Sequence, residues 1–367
     1  MNDGQLRIAA ALFDPARLRI ARQAAMLQKK DLAELVGVSA GAISQYENGS
    51  SSPSPKTISA LALALGVPGP FFAGDRSLGE APATIPHFRS LRSTSKQERD
   101  RAFAHALLTW ELSSVIERYV RLPRYQLPSD LSVSVDESVV AVEEAARIAR
   151  SALDLGTGPV PNVVRLLESR GIVCTRLPAR TRRVFAFSCD FPSRPVVVLA
   201  TERSHKAAGR FDAAHELGHL LLHHDEEPGT HAVERQAHAF ASEFLAPSSE
   251  IADLLPSRLD WKRLMALKET WGISIQALLF RARSLRVMPE YTYRRAVTEL
   301  NQKGWRTQEP GDDGHAEEPV MLRRAIEVMA QQGRTPENLS DECRLSVDMI
   351  DMIAPPDERL VLDLSSG

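Results

Sequence analysis

Two histidines four residues apart, with a glutamate directly after the first, stand out in FDAAHELGHLLLHHDEE as His215, Glu216 and His219. On a helix the two histidines share one face about 6 Å apart along the axis, so both imidazoles can reach one tetrahedral ion such as zinc. Glu216 falls between them, where a carboxylate can accept the proton of an activated water without ligating the ion itself. The flanking Ala213, Ala214, Leu217, Leu220 and Leu221 are apolar, as a buried active-site helix requires. Gly218 is expected to leave room beside the ion.

A catalytic zinc takes three protein ligands and keeps one position open. An extended motif with a third histidine would need glycine and histidine where this chain has Leu222 and Asp225, so the third ligand is expected elsewhere. The stretch HAVERQAHAFASEFLAP offers it: Glu234 and His238 are four apart, and Ala237, Phe240, Ala241 and Leu245 form an apolar face to pack on the first helix. Glu234 can ligate while His238 hydrogen-bonds behind the ligands. Glu243 competes for the same role, because it returns to that side of the helix about two and a half turns later and cannot ligate together with Glu234. His223 is read as supporting a ligand or meeting substrate. Candidates for a transition-state donor are His223, His231, Tyr291 and Tyr293.

A second chemistry lies near the N-terminus. In KKDLAELVGVSAGAISQYENG a helix meets a tight turn at Gly37, and Ser39 can cap a following helix that runs to Asn48. Leu32, Val36, Val38 and Ile43 occupy positions that pack the two helices together, and Ala33 is small where they approach. The outer face of the second helix presents Ser39, Gly41, Ser44, Gln45 and Asn48, short polar side chains suited to base edges or phosphates of double-stranded DNA in the major groove. Residues 1–74 hold seven Lys and Arg against five Asp and Glu, so attraction to phosphate is modest and a homodimer would strengthen it.

Elements must position these groups, and 367 residues are enough for two or three domains. With 43% apolar and 25% charged residues the chain reads as globular, and its net charge of -2 restricts any basic surface to a local patch. The longest apolar runs are far short of a membrane span, and MNDGQLRIAA lacks the build of a signal peptide, so a cytoplasmic protein with no membrane partner is expected. Cys174, Cys189 and Cys343 form no CxxC pair and read as buried thiols. GIVCTRLP, RVFAFSCD and RPVVVLATE read as strands that supply a small sheet, with helices before and after. An exposed edge strand at 184–188 would either pair with an extended substrate or serve only the fold. The tail reads as the polar acidic linker GDDGHAEEP followed by one last helix, MLRRAIEVMAQQG.

The segment HELGHLLLH, followed by ERQAHAFASEFLAP and WGISIQALLFRARSL, resembles the ImmA/IrrE family of metallopeptidases. With the helix-turn-helix in front, the chain is similar to Xre-type regulators fused to that peptidase. The resemblance implies a gluzincin-like zinc centre, with His215, His219 and Glu234 as ligands and Glu216 as general base. It also implies a protein substrate of the helix-turn-helix repressor type, in stress response or mobile-element control. The family usually has Asn or Asp where this chain has His238.

The expected fold is α+β and mainly helical. Residues 1–75 are expected to form an all-α helix-turn-helix domain, 76–135 a helical linker, 136–255 the zinc peptidase domain with its small sheet, 256–300 a helix-turn-helix-like region with Ser274 as a cap, and 301–367 a helical tail. The expected activity is zinc-dependent endopeptidase action by a DNA-binding regulator. The alternative is a transcription factor whose metal domain senses a ligand, metal or partner and does not cut.

Overall fold

A computed structural model describes residues 3–74, 95–128, 131–177, 186–201, 206–223, 229–306, 308–311 and 316–356. Within them lie seventeen α-helices and one three-stranded sheet. The helices of the N-terminal head are α1 (Asp3–Ala11), α2 (Pro15–Ala24), α3 (Lys29–Val36), α4 (Ala40–Glu47) and α5 (Pro55–Leu65). Local chemistry sets their ends. Asp14 caps α2, whose first residue is Pro15. Gln28 and Asp31 form a reciprocal cap on α3, and Ser39 caps α4 by accepting the Ala42 amide at 3.1 Å. Between α3 and α4 the chain turns through Gly37 at φ 73°, a left-handed conformation that glycine adopts without strain.

Helix α6 (Lys96–Ile116) follows, then α7 (Val139–Ala152) and α8 (Val163–Ser169). The strands are β1 (Val173–Leu177), β2 (Ala186–Cys189) and β3 (Val196–Ala200). β3 is central, parallel to β1 with Val173 opposite Val196, and antiparallel to β2 with Ala186 opposite Leu199. Nearly every strand residue is buried because both faces of the sheet are covered. One face, with Val173, Phe187, Val196 and Val198, closes a core shared with α6, the head and the C-terminal helices. The other, with Cys174, Ala186, Val197 and Leu199, packs in a second core beneath the histidine-bearing helix. β2 has a neighbour on one side only among the described residues, but its side chains are all buried, so it offers no exposed side-chain ladder. Val184 and Phe185 lie outside the described residues.

The second core contains α9 (Lys206–Leu222), α10 (His231–Leu245), the short α11 (Ser248–Ile251), α12 (Trp261–Trp271), α13 (Ile275–Ser284) and α14 (Glu290–Gln302). Gly218 does not make room for an ion. A Cβ placed there would stand 3.0 Å from the Phe240 ring, so the glycine lets α9 and α10 approach closely.

The C-terminal region differs from expectation in two ways. It holds three helices, α15 (Met321–Gln331), α16 (Pro336–Cys343) and α17 (Val347–Ile353), which close the first core. The acidic segment before them is also no solvated linker where it is described. Glu309 accepts the Ile275 and Gln276 amides at 2.8 and 3.1 Å and pairs with buried Lys268 at 2.9 Å. Glu317 accepts the amides of Val163 and Val164 at the start of α8, at 2.7 and 3.2 Å, and pairs with Arg210 of α9. In return Glu168 of α8 accepts the amides of Val320 and Met321 at the start of α15, each at 2.8 Å. The segment leading into α15 thus caps α8, and α8 caps α15.

Helix α6, expected as a connecting element, is largely buried between the head and the sheet. Arg17 of α2 pairs with Glu111 of α6 at 2.7 Å. His105 of α6 meets the Thr175 hydroxyl of β1 at 3.2 Å, and that hydroxyl donates to the Ile353 carbonyl of α17 at 3.0 Å.

Candidate metal centre and DNA-facing helix

Helix α9 crosses the sheet with His215, Glu216 and His219 almost wholly buried. α10, capped by Thr230, lies against it and brings Glu234 to the same point. The His215 and His219 Nε2 atoms are 3.1 Å apart, and the two Glu234 oxygens stand 3.3 Å from His215 Nε2 and 3.7 Å from His219 Nε2. One donor atom from each of the three residues falls within 4.8 Å of the others. Zinc bonds of about 2.0–2.2 Å in a tetrahedron require ligand atoms about 3.3 Å apart, so this donor set fits the ion.

The surroundings hold the donors in orientation. His219 Nδ1 lies 3.1 Å from His223 Nδ1, and His223 Nε2 lies 3.0 Å from Gln236 Oε1. Gln236 in turn donates to the Ser134 carbonyl at 2.8 Å. The chain from His219 to Ser134 is buried up to Gln236 and limits which ring nitrogen of each histidine carries the proton. His238 stacks edge-on to His215 with ring centres 5.1 Å apart, and also lies 5.1 Å from Phe211. His238 therefore packs between Phe211 and the donor His215.

Ser188 was not among the expected site residues. It sits on the α9-facing side of β2 and donates to Glu216 Oε2 at 2.8 Å. Nothing in RVFAFSCD marks it except a hydroxyl in an apolar strand. Glu243, the competing acid, is elsewhere engaged: it is fully buried, pairs with Arg281 of α13 and with Arg147 of α7 at 3.4 Å, and accepts the Ser248 amide at 3.1 Å. His231 begins α10 on an exposed position, and Tyr291 is 78% exposed, so neither is gathered into the buried cluster. His205 and His224 lie outside the described residues. Burial raises the Cys174 and Cys189 thiols well above their ordinary range, with Glu216 contributing at Cys189, which keeps both unreactive.

In the head, Glu47 at the end of α4 is held by Arg22 of α2 and by Lys29 of α3 at 3.4 Å, while Arg19 donates to its carbonyl at 2.8 Å. These contacts fix the angle of α4. Ser39, Gly41, Gln45 and Asn48 are exposed and Ser44 is half-buried. Ser39 is occupied as the cap, and Asn48 Oδ1 accepts from Ser50 at 2.9 Å. Gln45 is exposed in the middle of the helix.

A helix-turn-helix head packed on a mixed domain whose buried helix gathers His, His and Glu defines a DNA-binding regulator with a metallopeptidase-like domain. Family comparison agrees in both parts: residues 18–72 match a helix-turn-helix family of the Xre type, and residues 167–283 match the family described as the IrrE N-terminal-like domain. One stretch of the chain is thus an Xre-type helix-turn-helix and another resembles the IrrE N-terminal-like domain, a family typically dependent on a metal. No curated protein matches it. Among the described residues no helix is long and apolar enough to cross a membrane.

Proposed function

We propose that this chain is a DNA-binding transcriptional regulator whose second domain is a zinc-dependent endopeptidase acting on another regulatory protein, of the helix-turn-helix repressor type. The convergence of His215, His219 and Glu234 within 4.8 Å carries the reading. These three would hold Zn2+, with His223 and His238 supporting them. Bound zinc supplies Lewis acidity, which polarises a peptide carbonyl and makes a water easier to deprotonate.

Glu216 then works as the general base. Its carboxylate takes the proton of the attacking water and returns it to the departing amine. Ser188 donates to Oε2 and so fixes the orientation of that carboxylate. Ser39, Gly41, Ser44, Gln45 and Asn48 meet double-stranded DNA, a homodimer supplies the second half-site, and the reaction takes place in the cytoplasm.

Zinc analysis of the purified chain, paired with cleavage of repressor-like proteins encoded beside it, tests the reading. Wild type and Glu216→Gln should hold equal zinc, His215→Ala should lose it, and Glu216→Gln should cleave at least about a hundredfold more slowly. Cleavage undiminished in Glu216→Gln would sink the mechanism. A wild type that holds zinc and cleaves nothing would favour the sensing role instead.

A further inference from the structure

A surface depression of about 350 Å³ opens where α8, α15 and the chain leaving α6 meet. That volume is at the lower end for small-molecule sites. Leu122, Met321 and Val328 give it an apolar lining, and Val328 is 37% exposed there. Three arginines share it: Arg121 from the segment after α6, Arg165 from α8 and Arg324 from α15. They come from three distant stretches of sequence, so the fold, and not a local run of charge, gathers them.

Glu168, the acid in this lining, faces Arg165 and Arg324 but offsets only part of three positive charges. Glu168 is committed to the start of α15 through the Val320 and Met321 amides, and its ion pair with Arg165 is long, at 3.9 Å. Among the described residues the side chains of Arg121 and Arg324 make no hydrogen bond or ion pair. Like charges gathered on an apolar surface repel one another, and an anion relieves that repulsion. Guanidinium groups match carboxylate and phosphate oxygens two at a time, while the lining suits a hydrocarbon tail.

We propose that this depression binds an amphipathic organic anion, a monocarboxylate or phosphate monoester with a short apolar chain. Its head meets Arg165 and Arg324, its tail lies on Met321 and Val328, and it joins α15 to α8 from outside. Its lining shares no residue with the metal centre.

Isothermal titration of the full-length chain with octanoate, octyl phosphate, octanol and inorganic phosphate tests this. One or both octyl anions should bind with one-to-one stoichiometry, and octanol and phosphate about tenfold more weakly or not at all. The preferred octyl anion identifies the headgroup. Arg165→Ala and Arg324→Ala should each weaken binding about tenfold, with circular dichroism confirming an unchanged fold. Val328→Trp fills the depression without touching charge and should abolish binding. The proposal is overturned if neither octyl anion binds at millimolar concentration, if octanol binds equally, or if folded arginine variants bind like the wild type.

Discussion

The same local turn is used in two parts of the molecule to opposite ends. In the head, α3 and α4 are joined by Gly37, Val38 and Ser39; in the second core, α12 and α13 are joined by Gly272, Ile273 and Ser274. Both glycines are left-handed, at φ 73° and 64°, and both serines cap the next helix. Ile43 and Leu278, four residues after each cap, are both fully buried. The helices then part company. α4 turns Gly41, Gln45 and Asn48 outward, whereas α13 turns Arg281 inward onto Glu243 and Glu143 and presents Phe280 where α4 has Gln45. Turn chemistry sets the shape of a helix-turn-helix, and the neighbours of its second helix decide whether it reads DNA or braces a core.

The strongest way to break the contrast is to remove the inward arginine. Arg281→Ala leaves Glu243 buried without its main partner and should cost about 3–5 kcal/mol, seen as a large fall in thermal midpoint. The head would bind DNA unchanged at temperatures where the variant stays folded.

A third pair, α16 and α17, has the same turn with Arg344, Leu345 and Ser346, and is tied to α6 and β1 through His105 and Thr175. Burial, helped by Arg101, lowers the His105 pKa to about 4 from an ordinary 6.5. The folded state holds this ring neutral while the unfolded chain protonates it. Stability is therefore full above pH about 6.5 and is lost as pH falls towards 4, by about 3 kcal/mol if the whole shift is expressed. Urea melts of wild type and His105→Gln across that window should converge at low pH. Parallel curves would remove His105 as the cause.

Within the two matched helices, Gln45→Ala should weaken DNA binding by about 1–3 kcal/mol and leave the melting temperature alone. Phe280→Ala, at the equivalent position of α13, should leave DNA affinity unchanged. Equal losses in a binding titration would mean that both helices touch DNA. The smallest effect separates the turns themselves. Gly37→Ala meets nothing within 4 Å and should cost about 1 kcal/mol for its left-handed backbone. Gly272→Ala should cost more, because its Cβ would stand 2.8 Å from Arg210 Nε, and Arg210 is held by Glu317 and by the Val160 carbonyl.

What was legible in the sequence follows the range of the interaction. The grouping of His215 with His219, and of Glu234 with an apolar face on α10, rests on spacings of three and four residues. The three strands likewise show in their own composition. The choice between Glu234 and Glu243 rests on Arg281, 38 residues beyond Glu243, so the helix pattern alone left it open. Ser188 reaches Glu216 across 28 residues, and Glu317 reaches α8 across 154. The acidic tail looked solvated because its partners are so distant. The third turn was hidden by Arg344, which adopts φ 57° where the other two turns have glycine.

The exchange of caps between α8 and α15 carries a consequence for how the molecule comes apart. Glu168 of α8 closes the first turn of α15, and Glu317, in the segment leading into α15, closes the first turn of α8, so the two starts are expected to open together. Backbone amides of Val163, Val164, Val320 and Met321, more than 150 residues apart in sequence, should trade hydrogen for deuterium at a common rate. In the language of folding units, the far end of the chain and the approach to the sheet are one piece.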